Sequence, residues 1–376
     1  MRNAMKILSV VLIVIYVISC VKPFNPPAIT AANLNLLVVD GFIVPGSTSR
    51  IKLARTLNIT DTFRVIPELN AQLTIEGMSG SSFSFQTDTG GVYTSIASFL
   101  PVDDQYRLRI RLQDGNEYLS DFVEVKKSPP IDSVEWGEGI DDISIYVNTH
   151  DPENRAKYYK WEYDETFEYR AVYDSFLDFV DGQIIFLEPD QYRYQCYKFF
   201  SSTNIALGNS ASLTEDIIRR ARVTTFPNDN SRIPFRYSIN VKQYALTAEA
   251  YKYWKTIQAN TEQNGSIFDP QPAQLRSNIH NVSDPEETVV GFVSISNITE
   301  KRIFIRFTQL NNRPGIPYQD RCKERFVRAD EDFRELLADG HLKPAYFSRT
   351  GGLAIVPAIC VDCRLQGGTT QKPSYW

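Results

Sequence analysis

The stretch "YRLRIRLQDGNEYLS", Tyr106 to Ser120, decides the fold class. Tyr106, Leu108, Ile110 and Leu112 fall on one face of an extended chain and Arg107, Arg109 and Arg111 on the other, and Asp114-Gly115 closes the run with turn chemistry. The same period of two spreads outward. "LNLLVVDGFI" and "SRIKLART" are strand-like runs separated by Pro45-Gly46-Ser47. They predict a first hairpin from Leu37 to Ile43 and from Ile51 to Leu57, with Gly41 and Gly46 at backbone-determined positions. "NAQLTIEG" alternates Ala71, Leu73 and Ile75, "SSFSFQT" alternates Phe83 and Phe85, and "GGVYTSI" follows a Gly-Gly turn. Short alternating runs punctuated by turns predict a β-sandwich, transthyretin-like or immunoglobulin-like, over residues 35–127. The arginine stripe fits either a solvated outer sheet face or a contact for an anion.

The chain of 376 residues is long enough for two domains. A hydrophobic share of 43% and a charged share of 23% exclude disorder and a multi-span membrane protein. A formal net charge of −5 argues against nucleic acid as a partner, because phosphates demand a concentrated basic surface. With 20 Tyr and 22 Phe against 3 Met, the composition favours β-structure.

Arg2 and Lys6 precede the apolar run "ILSVVLIVIYVIS", too short for a comfortable membrane span, so residues 1–19 read as an export signal. It ends in "VISC", which resembles the lipobox of bacterial lipoproteins, so Cys20 is the expected lipidation site. Acyl chains there would anchor the protein to a membrane without spanning it. Residues 20–34, Pro-rich at "VKPFNPPAI", form a tether. The other cysteines are Cys196, Cys322, Cys360 and Cys363. In an exported chain an even set reads first as disulfides, in any of three connectivities. The alternative is a zinc site built on "CVDC".

"KKSPPIDSVEW" reads as a linker into a second β-sandwich-type domain with helical insertions, residues 131–376. "DISIYVNTHDP" and "KYYKWEYDETFEYR" open it as strands. "LTEDIIRRAR" reads as a short helical patch, and "TAEAYKYWKTIQANTEQNG" as a firmer helix capped by Thr247 and ended by Gly265. Strands resume in "EETVVGFVSIS" and "KRIFIRFTQL", and a short helix, "DEDFRELLADG", precedes the cysteine-bearing tail.

Signals for chemistry are sparse. His150, His280 and His341 are scattered singly, the G-x-S-x-G elbow is absent, and "RTGGLAI" lacks the Lys-Ser/Thr ending of a phosphate loop. No catalytic residue, metal site or cofactor is assigned. Trp136, Trp161, Trp254 and Trp376 suit sugar stacking, but burial in a core explains each equally well.

Together "LLVVDGFI", "IKLART", "PPIDSVEW", "KYYKWEYDETFEY", "RYSINVKQYALTAEAYKYW", "SIFDPQPAQLRSNIHNVSDPEETVVGFVSIS" and "CVDCRLQGGTTQKPSYW" resemble a Bacteroidetes lipoprotein family, domain of unknown function 4249. The resemblance implies an outer-membrane, lipid-anchored protein that accompanies a TonB-dependent β-barrel receptor; it implies no reaction. The residues after Cys20 lack the acidic cluster of surface-export signals, which leaves the membrane face open. The expected function is therefore a non-enzymatic accessory in nutrient uptake. The alternatives are a stand-alone glycan- or peptide-binding protein and, more distantly, a hydrolase. The expected partner or ligand face holds Asn278, His280 and Asp284, from a polar, Pro-interrupted loop, together with Trp161.

Overall fold

A computed structural model describes residues 35–56, 65–87, 89–96, 99–229, 232–262, 275–311 and 319–376. The export signal, Cys20, the tether, Leu57 and Gly265 lie outside these residues. The described chain is mainly β, arranged in several sheets with few helices.

The first sheet is a nearly closed sandwich. Its core is the alternation seen in sequence: Leu37, Ile51, Leu53, Leu73, Ile75, Tyr106, Leu108 and Ile110 are all buried. The strand Gln105–Arg111 pairs with Gln72–Gly77 on one side and Glu117–Ser120 on the other. On the outer face Arg107 and Arg109 bind Glu76 at 2.8 and 2.5 Å, and Arg109 and Arg111 both reach Glu117. The arginine stripe is therefore a ladder of ion pairs, three guanidinium groups shared between two carboxylates on the outer face, the solvated-face alternative. Gly41 takes a φ of 138°, and a Cβ there would stand 2.2 Å from the Arg50 carbonyl oxygen, so the hairpin excludes any side chain at this point.

Residues assigned from sequence to the second domain complete this first sheet. Ile279–Asn281 pairs with Glu117–Ser120 at one end of the strand order, and Val290–Gly291 pairs in parallel with Leu37–Phe42 at the other. One segment thus supplies both ends of the sheet. Its two ends are tied by side chains: Asn278 Nδ2 donates to the Val293 carbonyl at 3.0 Å, Asn278 Oδ1 accepts from the Val293 N–H at 2.8 Å, and Ser277 Oγ donates to Gly291 O at 2.7 Å. These bonds satisfy edge groups that would otherwise be open to a foreign strand. "EETVVGFVSIS" accordingly forms only the two-residue strand and isolated bridges at Ile295 and Ser296.

The second sandwich faces the sheet Ile131–Glu138, Asp142–His150, Ile217–Pro227 against the sheet Gln195–Ser201, Tyr158–Arg170, Arg236–Leu246, Thr299–Arg306. Ile143, Ile145 and Val147 meet Tyr159, Trp161, Tyr237, Ile239 and Val241 in one core. "IIRRAR", expected to be helical, is instead part of the eleven-residue strand Ile217–Pro227, paired along Asp142–His150. Pairing with a partner strand overrides a short helical pattern of this kind. Tyr158–Arg170 sends Tyr159, Trp161, Tyr163, Phe167 and Tyr169 into this core, which explains its density of aromatics. Its odd-numbered residues enter the core, while the even-numbered ones are covered at one end by the helix Ala248–Glu262 and at the other by the C-terminal tail. Thr247 caps that helix as expected, its Oγ1 accepting from the Ala250 N–H at 3.1 Å.

The stretch read as a linker is pinned at the junction of the two sandwiches. Ser128 N–H donates to Asn297 Oδ1 at 2.8 Å, and the Pro129 carbonyl accepts from Gln243 Nε2 and Thr299 Oγ1, each at 2.9 Å. Beside it, Phe42 and Val44 pack on Tyr244, Leu246 and Ala250. Lys160 Nζ lies 3.9 Å from the Trp254 ring centroid and 5.0 Å from that of Phe42, and pairs with Glu162. Such a desolvated cation–π contact is worth about 2 kcal/mol.

The four cysteines form two disulfides, Cys196–Cys363 and Cys322–Cys360, so the "CVDC" pair is split between two bridges and the zinc alternative falls. The second bridge staples a small sheet, Arg325–Phe326, Leu353–Pro357 and Leu342–Phe347, beside the hairpin Leu177–Val180 and Gln183–Phe186; the helix Phe333–Leu337 packs there. Asp178 is buried in this region between Lys343 Nζ at 2.8 Å and Arg193 Nη1 at 2.9 Å. Burial alone would raise its pKa, but Lys343, the Phe179 N–H and Arg193 outweigh it and hold the carboxyl below the usual range. A depressed acid stabilises the fold above its unfolded pKa of 3.8 and loses that contribution as pH falls through the lower folded value. Thermal unfolding followed from pH 5 to pH 2, a range of about that span, is expected to show a steeper acid loss in the wild type than in Asp178→Asn. Parallel acid profiles would refute this linkage.

Candidate functional site

The junction of the two sandwiches leaves an open cleft of about 740 Å³. One wall is the sheet edge at residues 121–124 and 276–278, and the other is the helix Ala248–Glu262. Antiparallel pairing of Ile279 with Ser120, continued by the Asp121 N–H bonding to the Asn278 carbonyl at 2.8 Å, fixes the first wall. On the helix, Glu249, Lys252, Tyr253 and Thr256 share the spacing that turns one face inward. Tyr253 and Phe292 form an apolar floor, their ring centroids 5.3 Å apart. Burial pushes the Tyr253 phenol up to about 12, so it stays neutral at physiological pH.

The cleft carries charge of both signs. Asp121 pairs with His280 at 3.4 Å, and Glu124 with Lys126 at 2.5 Å. Lys252 and Arg276, one on each wall, have no carboxylate partner among the described residues. Phe122 turns its ring to Arg107, whose guanidinium carbon lies 4.9 Å from the ring centroid.

The four residues expected to make a common face are not brought together. Trp161 is 0% exposed, stacked on Tyr159 and donating through Nε1 to Gln243 Oε1 at 2.9 Å, because its odd position in the strand directs it into the core. It presents no surface to a partner. Asn278 lies in the cleft wall, but at 6% exposure its amide is spent on Val293. His280 is exposed on the edge strand. Asp284 sits in an exposed turn, its N–H donating to Asn281 Oδ1 at 3.2 Å. The other tryptophans are also engaged in packing: Trp254 at the junction, Trp136 against the second core, and Trp376 edge-on to Tyr197 and Phe304. Lys252, Tyr253, Arg276 and Phe292 were not singled out from sequence. The i, i+3, i+4, i+7 spacing of Glu249, Lys252, Tyr253 and Thr256 is present in the sequence, but the facing wall is not.

His150 makes a separate exposed pair, with Nδ1 2.8 Å from both oxygens of Asp132. The Asp132 hydrogen bond and its charge raise the imidazole pKa above 6.5. The contact therefore contributes fully below 6.5 and is lost as pH rises through the higher folded value. NMR titration is expected to place His150 above the free-imidazole value, and Asp132→Asn to return it. An unshifted His150 in the wild type would contradict the pairing.

A family model described as "Domain of unknown function (DUF4249)" matches residues 21–302. No curated protein matches. Among solved structures, a two-domain fibronectin type-III segment from chicken tenascin aligns at 9% identity, covering 55% of this chain and 88% of that one, with a TM-score of 0.17. A DUF4785 family protein from Legionella pneumophila aligns at 9% identity over 55% of this chain and 52% of that one, with a TM-score of 0.17. The Yersinia pseudotuberculosis adhesin InvE aligns at 11% identity over 57% of each chain, with a TM-score of 0.16. These likenesses are too slight to define a shared fold.

Proposed function

The chain belongs to the DUF4249 family, and on that premise we propose that it is an envelope lipoprotein, anchored in the outer membrane through Cys20. It works there as a non-enzymatic binding subunit of a TonB-dependent β-barrel receptor in nutrient uptake. The observation that carries the reading is the junction cleft, about 740 Å³ and of a size that suits a small ligand, with an apolar floor and charged rim. Its walls come from the edge of the first sheet and from the helix Ala248–Glu262. Two supports come from elsewhere in the chain. The export signal read in residues 1–19 and "VISC" support an envelope location, and two disulfides suit an oxidising compartment.

The test is an affinity pull-down of the tagged, lipidated protein from detergent-solubilised outer membranes, followed by mass spectrometry. A stoichiometric TonB-dependent barrel is the expected result. Recovery of the lipoprotein alone, under conditions that keep other receptor complexes intact, would overturn the partnership and favour the stand-alone binding protein.

A further inference from the structure

The unmatched charges of the junction cleft bear on what it binds. Of the acids on the sheet wall, Glu124 pairs with Lys126 outside the cleft, and Asp121 lies 3.4 Å from His280, a partner that carries charge only when protonated. The cations Lys252 and Arg276 approach from opposite walls and have no carboxylate partner among the described residues. Glu249, one turn before Lys252 on the same helix, tempers this charge without cancelling both cations. Between the walls lies the apolar floor of Tyr253, Phe292 and the buried Val123.

Two cations above an apolar floor are complementary to an anion attached to a hydrophobic body. A guanidinium binds a carboxylate in a two-point fork, and an ammonium adds a point charge from the other side. A neutral sugar is a poorer match, because the Phe122 ring already faces Arg107 and a sugar would leave both cations without a counter-charge. We propose that the junction cleft takes a small carboxylate with an apolar body, the chemistry of a short peptide's C-terminus or of an aromatic acid. Arg276 and Lys252 hold the carboxylate, and Tyr253 and Phe292 receive the side chain next to it. This rests on the reading of the cleft as a binding site, and it is independent of the receptor.

The experiment is titration calorimetry on the full lipidated protein in detergent. Three probes are used: the tripeptide Ala-Leu-Phe as the free acid, the same tripeptide as its C-terminal amide, and 3-phenylpropionate. The free acid is expected to bind at least about tenfold more tightly than the amide, the ratio a charge-assisted pair supplies. Arg276→Gln and Lys252→Met, both at exposed positions, are each expected to weaken the acid about tenfold with unchanged thermal unfolding. Glu249→Gln is expected to tighten it. Tighter binding of the tripeptide acid than of phenylpropionate assigns the site to peptides, and equal binding assigns it to simple organic acids; both uphold the carboxylate. Equal affinity for acid and amide, indifference to both cation substitutions, or no heat from either acid at millimolar concentration would overturn the proposal. A receptor recovered in the pull-down alongside such a negative result would leave the accessory role standing and remove only this ligand class.

Discussion

Replacing Cys196 and Cys363 together by alanine is expected to lower the unfolding free energy by about 3–5 kcal/mol. The bridge spans 167 residues of sequence, and the chain-entropy relation for a loop of that size gives about 5 kcal/mol as an upper figure. The Cys322–Cys360 bridge, spanning 38 residues, gives about 4 kcal/mol by the same relation. The two bridges lie close together at Cys360 and Cys363, so losses from removing both should fall short of their sum. The larger bridge also has a folded-state consequence. It holds the tail against Gln195–Ser201, where Tyr197 N–H donates to the Thr369 carbonyl at 2.8 Å. Beyond it, Tyr375 meets the Arg302 guanidinium at 3.7 Å and Trp376 the Arg236 guanidinium at 4.9 Å. Urea denaturation should therefore show the lower stability, and hydrogen exchange should show faster opening across residues 364–376. A stability change under about 1 kcal/mol, with unchanged exchange in the tail, would show that the bridge neither constrains the unfolded chain nor secures the tail.

The second large effect is expected at Gln243, which is 0% exposed and sits where the two sandwiches meet. Its Oε1 accepts from Trp161 Nε1, and its Nε2 donates to Pro129 O at 2.9 Å and to Thr149 Oγ1 at 3.1 Å. Gln243→Leu keeps the volume but strands the Trp161 N–H and removes a donor from Pro129 and Thr149. Each buried group left unpaired costs about 1–3 kcal/mol; Thr149 Oγ1 still donates to Pro130 O at 3.1 Å, so the stranded Trp161 N–H dominates and a loss of about 2–3 kcal/mol is expected by denaturant titration. Thr299 Oγ1 still reaches Pro129 O at 2.9 Å, which is why the figure is not larger. Gln243→Glu supplies the control: it retains one acceptor for Trp161 but adds a buried carboxylate facing carbonyl oxygen, and should be at least as damaging. Wild-type stability in Gln243→Leu would show that the network contributes nothing net to the junction.

Much of the architecture was legible in the sequence. The alternation of Tyr106, Leu108 and Ile110, the Gly41 and Gly46 backbone positions and the capped helix after Thr247 stand in the structure as the local pattern predicts. Each depends on neighbours in sequence: a period of two, a positive φ, a cap three residues from its donor. What the pattern did not contain was the identity of distant partners. "IIRRAR" became a strand because Asp142–His150 lies beside it. Trp161 became core because the facing sheet covers it, and the linker at Ser128 became a fixed joint because Gln243 and Asn297 reach it.

The same division holds for the site. The four exported cysteines indicated oxidation, but only the fold selected Cys196–Cys363 and Cys322–Cys360 from three connectivities. Asn278 was singled out for its polar, irregular setting, and tertiary structure turned it into the clamp that joins both ends of the first sheet. The cleft exists only because the segment at residues 276–281 returns to pair with Glu117–Ser120, about 160 positions earlier, and faces a helix from the other sandwich. The sequence by itself determined which residues could be strand, turn, helix cap or oxidised cysteine, because those are local steric and chemical preferences. Tertiary structure alone decided which faces were covered and which charges were left unpaired, because burial and pairing belong to residues that meet only when the chain has folded.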